Sequence, residues 1–359
     1  MDRPFFSIVM PAYQAEKYLG NAIEGILAQS FSDWELLVVE DCSKDKTLEI
    51  AQKFQSADKR IKVIHREKNA GVSEARNLGI EKARGEYLWF TDADDKAEGD
   101  LLEKVHNSLQ KNRAQLVVFG LVEEYYSKDG QLEYQNTRKP HAGFFKDKEG
   151  LRKEMLSLEQ QTLYGYPWNK VYDLDYLKSL GLKFEDYRKN KFIEDILFNI
   201  AFCMDIDSMN ILDIAPYHYG KRGNESLTNE FVPEYYQLHR RRIQALWNQQ
   251  KYWQMDLVQA RNILGSLYAR YILSALERNY DKRAKMSVKQ RRDFCRNIFR
   301  DGLFEELVMK GKASESMMLK IALRLMKSRN ITLNLLFAYG IHIARQKLPV
   351  LYSKVKSGR

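Results

Sequence analysis

The sequence predicts an α/β fold, a mostly parallel sheet flanked by helices, followed by a C-terminal helical region. Three observations predict it. Strand-length apolar runs alternate with helix-periodic segments across residues 6–120, each run ends in polar or turn residues, and the charge changes sign near residue 230. A length of 359 residues suggests about two domains. An apolar content of 44% is enough for a full core, so a disordered chain is excluded.

The first strand is read at residues 7–10, and the apolar run 5–10 that contains it is too short for a secretory signal. Further strands are expected at 35–39, 61–64, 87–90 and 116–119. Between them, Leu19, Ile23, Ile26 and Leu27 make one helical face. Leu48, Ala51 and Phe54 make a second, and Ala75, Leu78 and Ile80 a third. Residues 121–230 hold the turn Lys128-Asp129-Gly130 and the run Tyr166-Pro167-Trp168-Asn169-Lys170-Val171-Tyr172. They also hold a helix start at 192–199, where Glu194 and Asp195 suit the positive end of the helix dipole.

From Glu234 onward the pattern is helical and basic. Residues 231–359 carry 26 Lys and Arg against 9 Asp and Glu, a balance of +17 that leaves −7 for residues 1–230. Such a tail suits nucleic acid or an anionic membrane surface. Met317, Met318, Ile321, Ala322 and Leu325 fall on one helix side, with Lys320, Arg324 and Lys327 on another. The apolar stretch 331–344 is 14 residues, short of the roughly 20 that cross a bilayer. Peripheral contact with an anionic membrane is therefore expected, with self-packing or a homodimer interface as the alternatives. No aromatic stacking positions mark a basic groove, so a nucleic-acid partner is not expected. Cys42, Cys203 and Cys295 are far apart and show no zinc or disulfide spacing, which fits a reducing cytoplasm. Neither Gly-x-Gly-x-x-Gly nor Gly-x-x-x-x-Gly-Lys-Ser/Thr occurs, which argues against dinucleotide and P-loop folds.

Ligands of open α/β sheets bind beyond the carboxyl ends of the strands. There the chain places Pro11-Ala12-Tyr13, Glu40-Asp41, Asn69-Ala70-Gly71 and Asp92-Ala93-Asp94. Two carboxylates after an apolar strand suit Mg2+ or Mn2+, which bind oxygen and keep positions open for phosphate. Turn formation or helix capping is the plainer reading of the same acids.

Together these motifs resemble the family 2 glycosyltransferases with a GT-A fold. The resemblance runs through Ser7-Ile8-Val9-Met10-Pro11-Ala12-Tyr13, Glu40-Asp41-Cys42-Ser43, Asn69-Ala70-Gly71 with Ala75-Arg76-Asn77, and Gly85-Glu86-Tyr87 with the acidic triplet. It continues through Trp168-Asn169-Lys170, Glu194-Asp195, and Tyr217-x-Tyr219 with Arg222, Ser226 and Thr228. It covers about residues 5–230 and looks like the bacterial surface-polysaccharide branch; the tail is outside it. The implied organisation is a catalytic domain at 1–230, with a nucleotide-binding half (1–120) and an acceptor-binding half (121–230), then the basic helical region 231–359. The chain departs from the family's Asp-Asp-Gly-Ser at Glu40 and Cys42, and the loop's later glycine is Lys46.

The resemblance implies an inverting, metal-dependent sugar transfer to a hydroxyl of a bacterial cell-surface glycan or lipid-linked acceptor. Asp41 is expected at the nucleotide base, where a carboxylate needs a ring N–H; uracil offers one at N3, so UDP-sugar comes first, with dTDP- and GDP-sugars open. Tyr13 is expected against the base, or as a loop aromatic, and Pro11 beside it. Asp94 is the expected metal ligand, with Asp92 nearer the sugar or ribose. Asp95 is expected to cap a helix. Arg76 is read as a diphosphate or ribose contact, or an ordinary ion pair. Asp195 is the expected base, and Glu194 beside it points about 100° away, so one of the two supports structure or holds the acceptor. His218, Lys221 and Arg222 are expected on a mobile loop that closes over the diphosphate, or on a solvated turn. Trp168 is expected as an acceptor-sugar platform, or as core. A non-catalytic nucleotide-sugar-binding or scaffold protein is the alternative function.

Overall fold

Among the described residues, ten strands lie between residues 6 and 222. In order they are β1 (Phe6–Ala12), β2 (Trp34–Glu40), β3 (Ile61–His65), β4 (Tyr87–Phe90), β5 (Lys96–Ala97), β6 (Leu116–Tyr126), β7 (Leu132–Arg138), β8 (Gly143–Phe145), β9 (Lys170–Asp173) and β10 (Met209–Arg222). The helices among them are α1 (Leu19–Leu27), α2 (Thr47–Ala57), α3 (Val72–Lys82), α4 (Leu101–Lys111), α5 (Lys148–Gln160), α6 (Leu174–Ser179), α7 (Tyr187–Asn190) and α8 (Glu194–Phe202). The computed structural model describes residues 3–127, 129–222, 231–312 and 317–347. By contacts the chain divides into two units, Met1–Glu230 and Phe231–Arg359.

The sheet order is β3-β2-β1-β4-β9-β6-β10-β5, with β7 on β6 and β8 on β10. The first four strands are parallel, with Ile8 opposite Leu36 on one side and Trp89 on the other. β9 is antiparallel to both β4 and β6, and β10 runs parallel to β6. The sheet is thus mixed and mostly parallel. Every residue of β2 and β4 is buried, as strands covered on both faces require.

Helix α3 approaches β1 closely. A Cβ on Gly79 would lie 2.3 Å from Val9 Cγ1, so only glycine allows this separation. The Asn77 amide donates to the Phe184 carbonyl at 3.0 Å and accepts from its N–H at 2.7 Å. Phe184 in turn stacks on Phe198 of α8 at 3.9 Å between ring centroids. These contacts hold α3 against the segment that opens α8.

Two strands differ from the sequence reading, for one reason. β6 continues past Phe119 to Tyr126, and residues 217–222 belong to β10 instead of a mobile loop. Their polar side chains pair across the two strands, Lys221 with Glu123 and His218 with Glu124, so the polar run is satisfied within the sheet. Gly223, Ser226 and Thr228 lie outside the described residues, as does Lys128.

The second unit is helical: α9 (Tyr235–Tyr252), α10 (Leu257–Arg278), α11 (Val288–Phe299), α12 (Gly302–Phe304) running into a π-turn (Glu305–Met309), α13 (Met317–Lys327) and α14 (Ile331–Lys347). Asp256 caps α10 by accepting from the Val258 and Gln259 N–H groups, and Ser287 with Gln290 forms a capping box on α11. α10 is the core of this unit, with Leu264, Tyr268, Ile272 and Leu276 buried. The inner face of α13 is Leu319, Ala322, Leu323 and Met326. Of the expected apolar side, only Ala322 faces inward; Ile321 is 40% exposed, and the Met317 side chain lies outside the described residues. No described helix is long and apolar enough to cross a membrane.

Candidate active site

The carboxyl ends of β1, β2 and β4 and the start of α8 supply the site. Asp41 follows β2 and is buried. Its carboxylate accepts from Gly71 N–H at 2.7 Å and Ala70 N–H at 3.0 Å, and Arg66 Nε lies 3.2 Å away. Three of about four acceptor positions are therefore taken. The Asn69 amide donates to the Asp41 carbonyl at 3.1 Å, so both ends of Asp41 order the loop before α3. Beside it, buried Glu40 accepts from Ser43 N–H at 2.6 Å and meets His65 Nδ1 at 2.6 Å. Cys42 takes φ 61°, the conformation that glycine adopts without cost. Pro11 pairs with Val39 inside β1, while the Tyr13 ring is 47% exposed beyond it.

Arg76 of α3 occupies the centre of the site. Its Nη1 donates to Asp195 Oδ1 at 2.6 Å, and its Nη2 to Asp92 Oδ1 at 3.2 Å. Burial opposes its charge, yet Asp195 and Asp92 raise its pKa further, so it stays a cation. The guanidinium is buried against these two acids, so its contacts are those of an ion-pair bridge, the second of the two readings of Arg76.

The two acids that open α8 separate by environment. Burial raises the Glu194 pKa, the Asp195 charge adds to this, and Glu194 Oε2 is buried without a hydrogen-bond partner. Both causes favour the neutral form of Glu194. Asp195 is raised by burial but opposed by Arg76, and its side chain remains 23% exposed.

Beyond β4, Asp92 touches Arg76, and Asp94 is 51% exposed with Arg222 Nη1 at 3.3 Å. The Arg222 guanidinium also lies over the Tyr18 and Tyr126 rings at 4.4 and 5.2 Å. Asp95 caps no helix. It is buried, and its oxygens accept from Tyr217 Oη at 2.8 Å and Gly220 N–H at 2.9 Å. Burial and the charges of Asp94 and Asp92 push its pKa well up. Tyr217 Oη also accepts from Asp92 N–H at 3.1 Å, so Tyr217 and Asp95 fix the acidic turn to β10. The sequence reading missed this link; the signal available was the third acid itself.

Three other expected residues lie elsewhere. His218 Nδ1 is 2.8 Å from Glu124, and Lys221 is held by Glu123 and Tyr125, so neither joins Arg222 at Asp94. Trp168 is 3% exposed, with Tyr166 and Tyr217 stacked on it at 4.5 Å each. Both ring faces are covered, which rules out a direct sugar platform. Lys170, not singled out as a site residue, is fully buried and donates to the Leu163 and Tyr166 carbonyls and to Asn169 Oδ1, each at 2.8 Å. Burial draws its pKa down to about 7.

Among the described residues, no group of three or more His, Cys, Asp or Glu side chains could hold a metal. Asp92 and Asp94 offer oxygen donors only. A hard cation with most of its ligands from phosphate and water suits such a pair.

A mostly parallel sheet with an acidic turn beyond β4 and a carboxylate at a facing helix start is the GT-A glycosyltransferase arrangement. The crystal structure of Staphylococcus aureus TarS 1-349 in complex with UDP-GlcNAc has the same fold, with a TM-score of 0.64 at 21% identity over 95% of this chain and 91% of that one. Residues 7–181 match the model of Glycosyl transferase family 2. The uncharacterized glycosyltransferase EpsJ of Bacillus subtilis is 30% identical over 226 residues, 63% of each chain. The putative teichuronic acid biosynthesis glycosyltransferase TuaG of the same organism is 41% identical over 102 residues, 28% of this chain and 40% of TuaG. The match thus spans less than two thirds of the length of either relative.

Proposed function

We propose that the protein is an inverting, metal-dependent glycosyltransferase that moves a sugar from a UDP-sugar to a hydroxyl of a bacterial cell-surface glycan or lipid-linked acceptor. The observation that carries this reading is the Arg76 bridge, which draws the donor-side acid Asp92 and the candidate base Asp195 to one guanidinium. Asp195 takes the acceptor hydroxyl proton as that oxygen attacks the anomeric carbon opposite the departing diphosphate. One such displacement inverts the centre, and a pKa raised by burial makes Asp195 a better base. Glu194, favoured in its neutral form, is a positioning residue, and so is Arg76.

Asp94 and Asp92 would hold Mn2+ or Mg2+, which when bound neutralises charge on the leaving diphosphate. Arg222, at Asp94, is the protein cation on that side. Asp41 keeps about one acceptor position for a base N–H, and the open face of Tyr13 and the rigid Pro11 flank it. The UDP-GlcNAc bound by the structurally similar TarS supports a UDP-sugar donor. Free Cys42, Cys203 and Cys295 suit a reducing cytoplasm.

A panel of UDP-, dTDP- and GDP-sugars, scored by nucleoside-diphosphate release with envelope-derived acceptors, tests this. We expect release with a UDP-sugar, its loss in chelator, and a drop of about 10²- to 10⁴-fold in Asp195→Asn, whose melt stays cooperative at a temperature lowered by the loss of the charge facing Arg76. Turnover of no donor would point to the non-catalytic nucleotide-sugar-binding reading. Full turnover in chelator would remove the metal from Asp92 and Asp94.

A further inference from the structure

Among the described residues, nothing covers one apolar face of helix α14. Its inner side is Asn334, Leu335, Ala338 and His342, all buried, with His342 Nδ1 against Glu277 at 2.9 Å. On the opposite side Leu333, Leu336 and Tyr339 are 46%, 60% and 47% exposed, and Phe337 and Ile343 are half-buried near them. At 100° per residue these positions form one stripe. Removing large apolar side chains of this kind from water is favourable, so the stripe favours a cover.

Charge indicates which cover. Residues 316–359 contain nine Lys and Arg and no Asp or Glu. Lys320 and Arg324 of α13 are exposed and carry no ion pair among the described residues. Arg292 of α11 borders the stripe, its Nη1 donating to Thr332 Oγ1 at 3.1 Å. A second copy of this segment would bring cations against cations, whereas an anionic lipid surface supplies the missing charge along with an apolar interior. The 17 residues of α14 extend about 25 Å, less than the roughly 30 Å hydrocarbon core, so the helix suits the interface and not a span.

We propose that α14 docks the protein on an anionic membrane surface, with Leu333, Leu336 and Tyr339 entering the interface and Arg292, Lys320 and Arg324 meeting headgroup phosphates. The proposal is independent of the reaction assigned above. The test is sedimentation of the full chain with vesicles of equal parts phosphatidylglycerol and phosphatidylcholine, or of phosphatidylcholine alone. We expect pelleting with the anionic vesicles, reduced about tenfold or more on neutral vesicles, at high salt, and in the double variant Leu333→Glu/Leu336→Glu. Both positions are exposed, so the variant should keep the wild-type melting temperature. No pelleting with anionic vesicles, or equal pelleting of a folded double variant, would overturn the proposal. A wild-type dimer in light scattering that the double variant dissociates would overturn it in favour of a second copy.

Discussion

Glu194 and Asp195 are neighbours in sequence with the same chemistry, yet only Asp195 reaches the Arg76 guanidinium. The buried Glu194 therefore carries a measurable pH signature. Its folded-state pKa is raised above the ordinary value of 4.5. Below that value both folded and unfolded chains bind the proton; as pH rises the unfolded chain loses it first, so the stabilising contribution fades toward the folded-state pKa. Glu194→Gln cannot titrate. Thermal melts should show Glu194→Gln gaining on wild type between pH 5 and pH 8, and a difference that is flat across that range would refute the assignment. Asp41, Asp92, Asp94 and Asp195 were legible as candidates from their positions at strand ends and a helix start. The covered state of Trp168 was not, because the aromatic stack joins residues 166, 168 and 217, and nothing local indicates which ring lies outermost.

The first four strands were legible because each is an apolar or largely apolar run, fully buried in β2 and β4 and partly in β3, and their observed ends extend the expected ones by two residues or fewer. β10 was not. Its last turnward residues are His218, Lys221 and Arg222, which look solvated until the acids of β6 beside them are known. Such cross-strand pairing is long-range information. Helix α3 offers a sharper test of packing. Gly79→Ala would drive a methyl into Val9, a β-branched side chain with little room to rotate, at a cost of about 1–3 kcal/mol in urea unfolding. Since Arg76 lies on the same helix, a shift of α3 should also lower turnover. A Gly79→Ala protein as stable and active as wild type would mean that α3 and β1 stand further apart than described.

Across the chain, charge is segregated as strongly as structure, −7 before residue 231 and +17 from it onward. Each unit has its own buried core, β1, β2 and β4 in one and α10 in the other. A chain ending at Glu230 is accordingly expected to melt cooperatively; a featureless melt would show that its fold depends on the remainder. The helical character of the second unit was legible from periodicity, but the inward face of α13 was not, since Ile321 and Leu323 are equally apolar and only packing against the other helices distinguishes them. β9, the lone reversed strand between β4 and β6, has a consequence for how such a molecule can vary. Two inter-strand steps of roughly 4.8 Å set β4 and β6 about 10 Å apart, yet β10 on the far side of β6 returns to the acidic turn through Tyr217 and Asp95. Substitutions on β10 are therefore constrained by the acidic turn, whereas the exposed strand β7, which pairs with β6, can change while the geometry around Arg76 stays still.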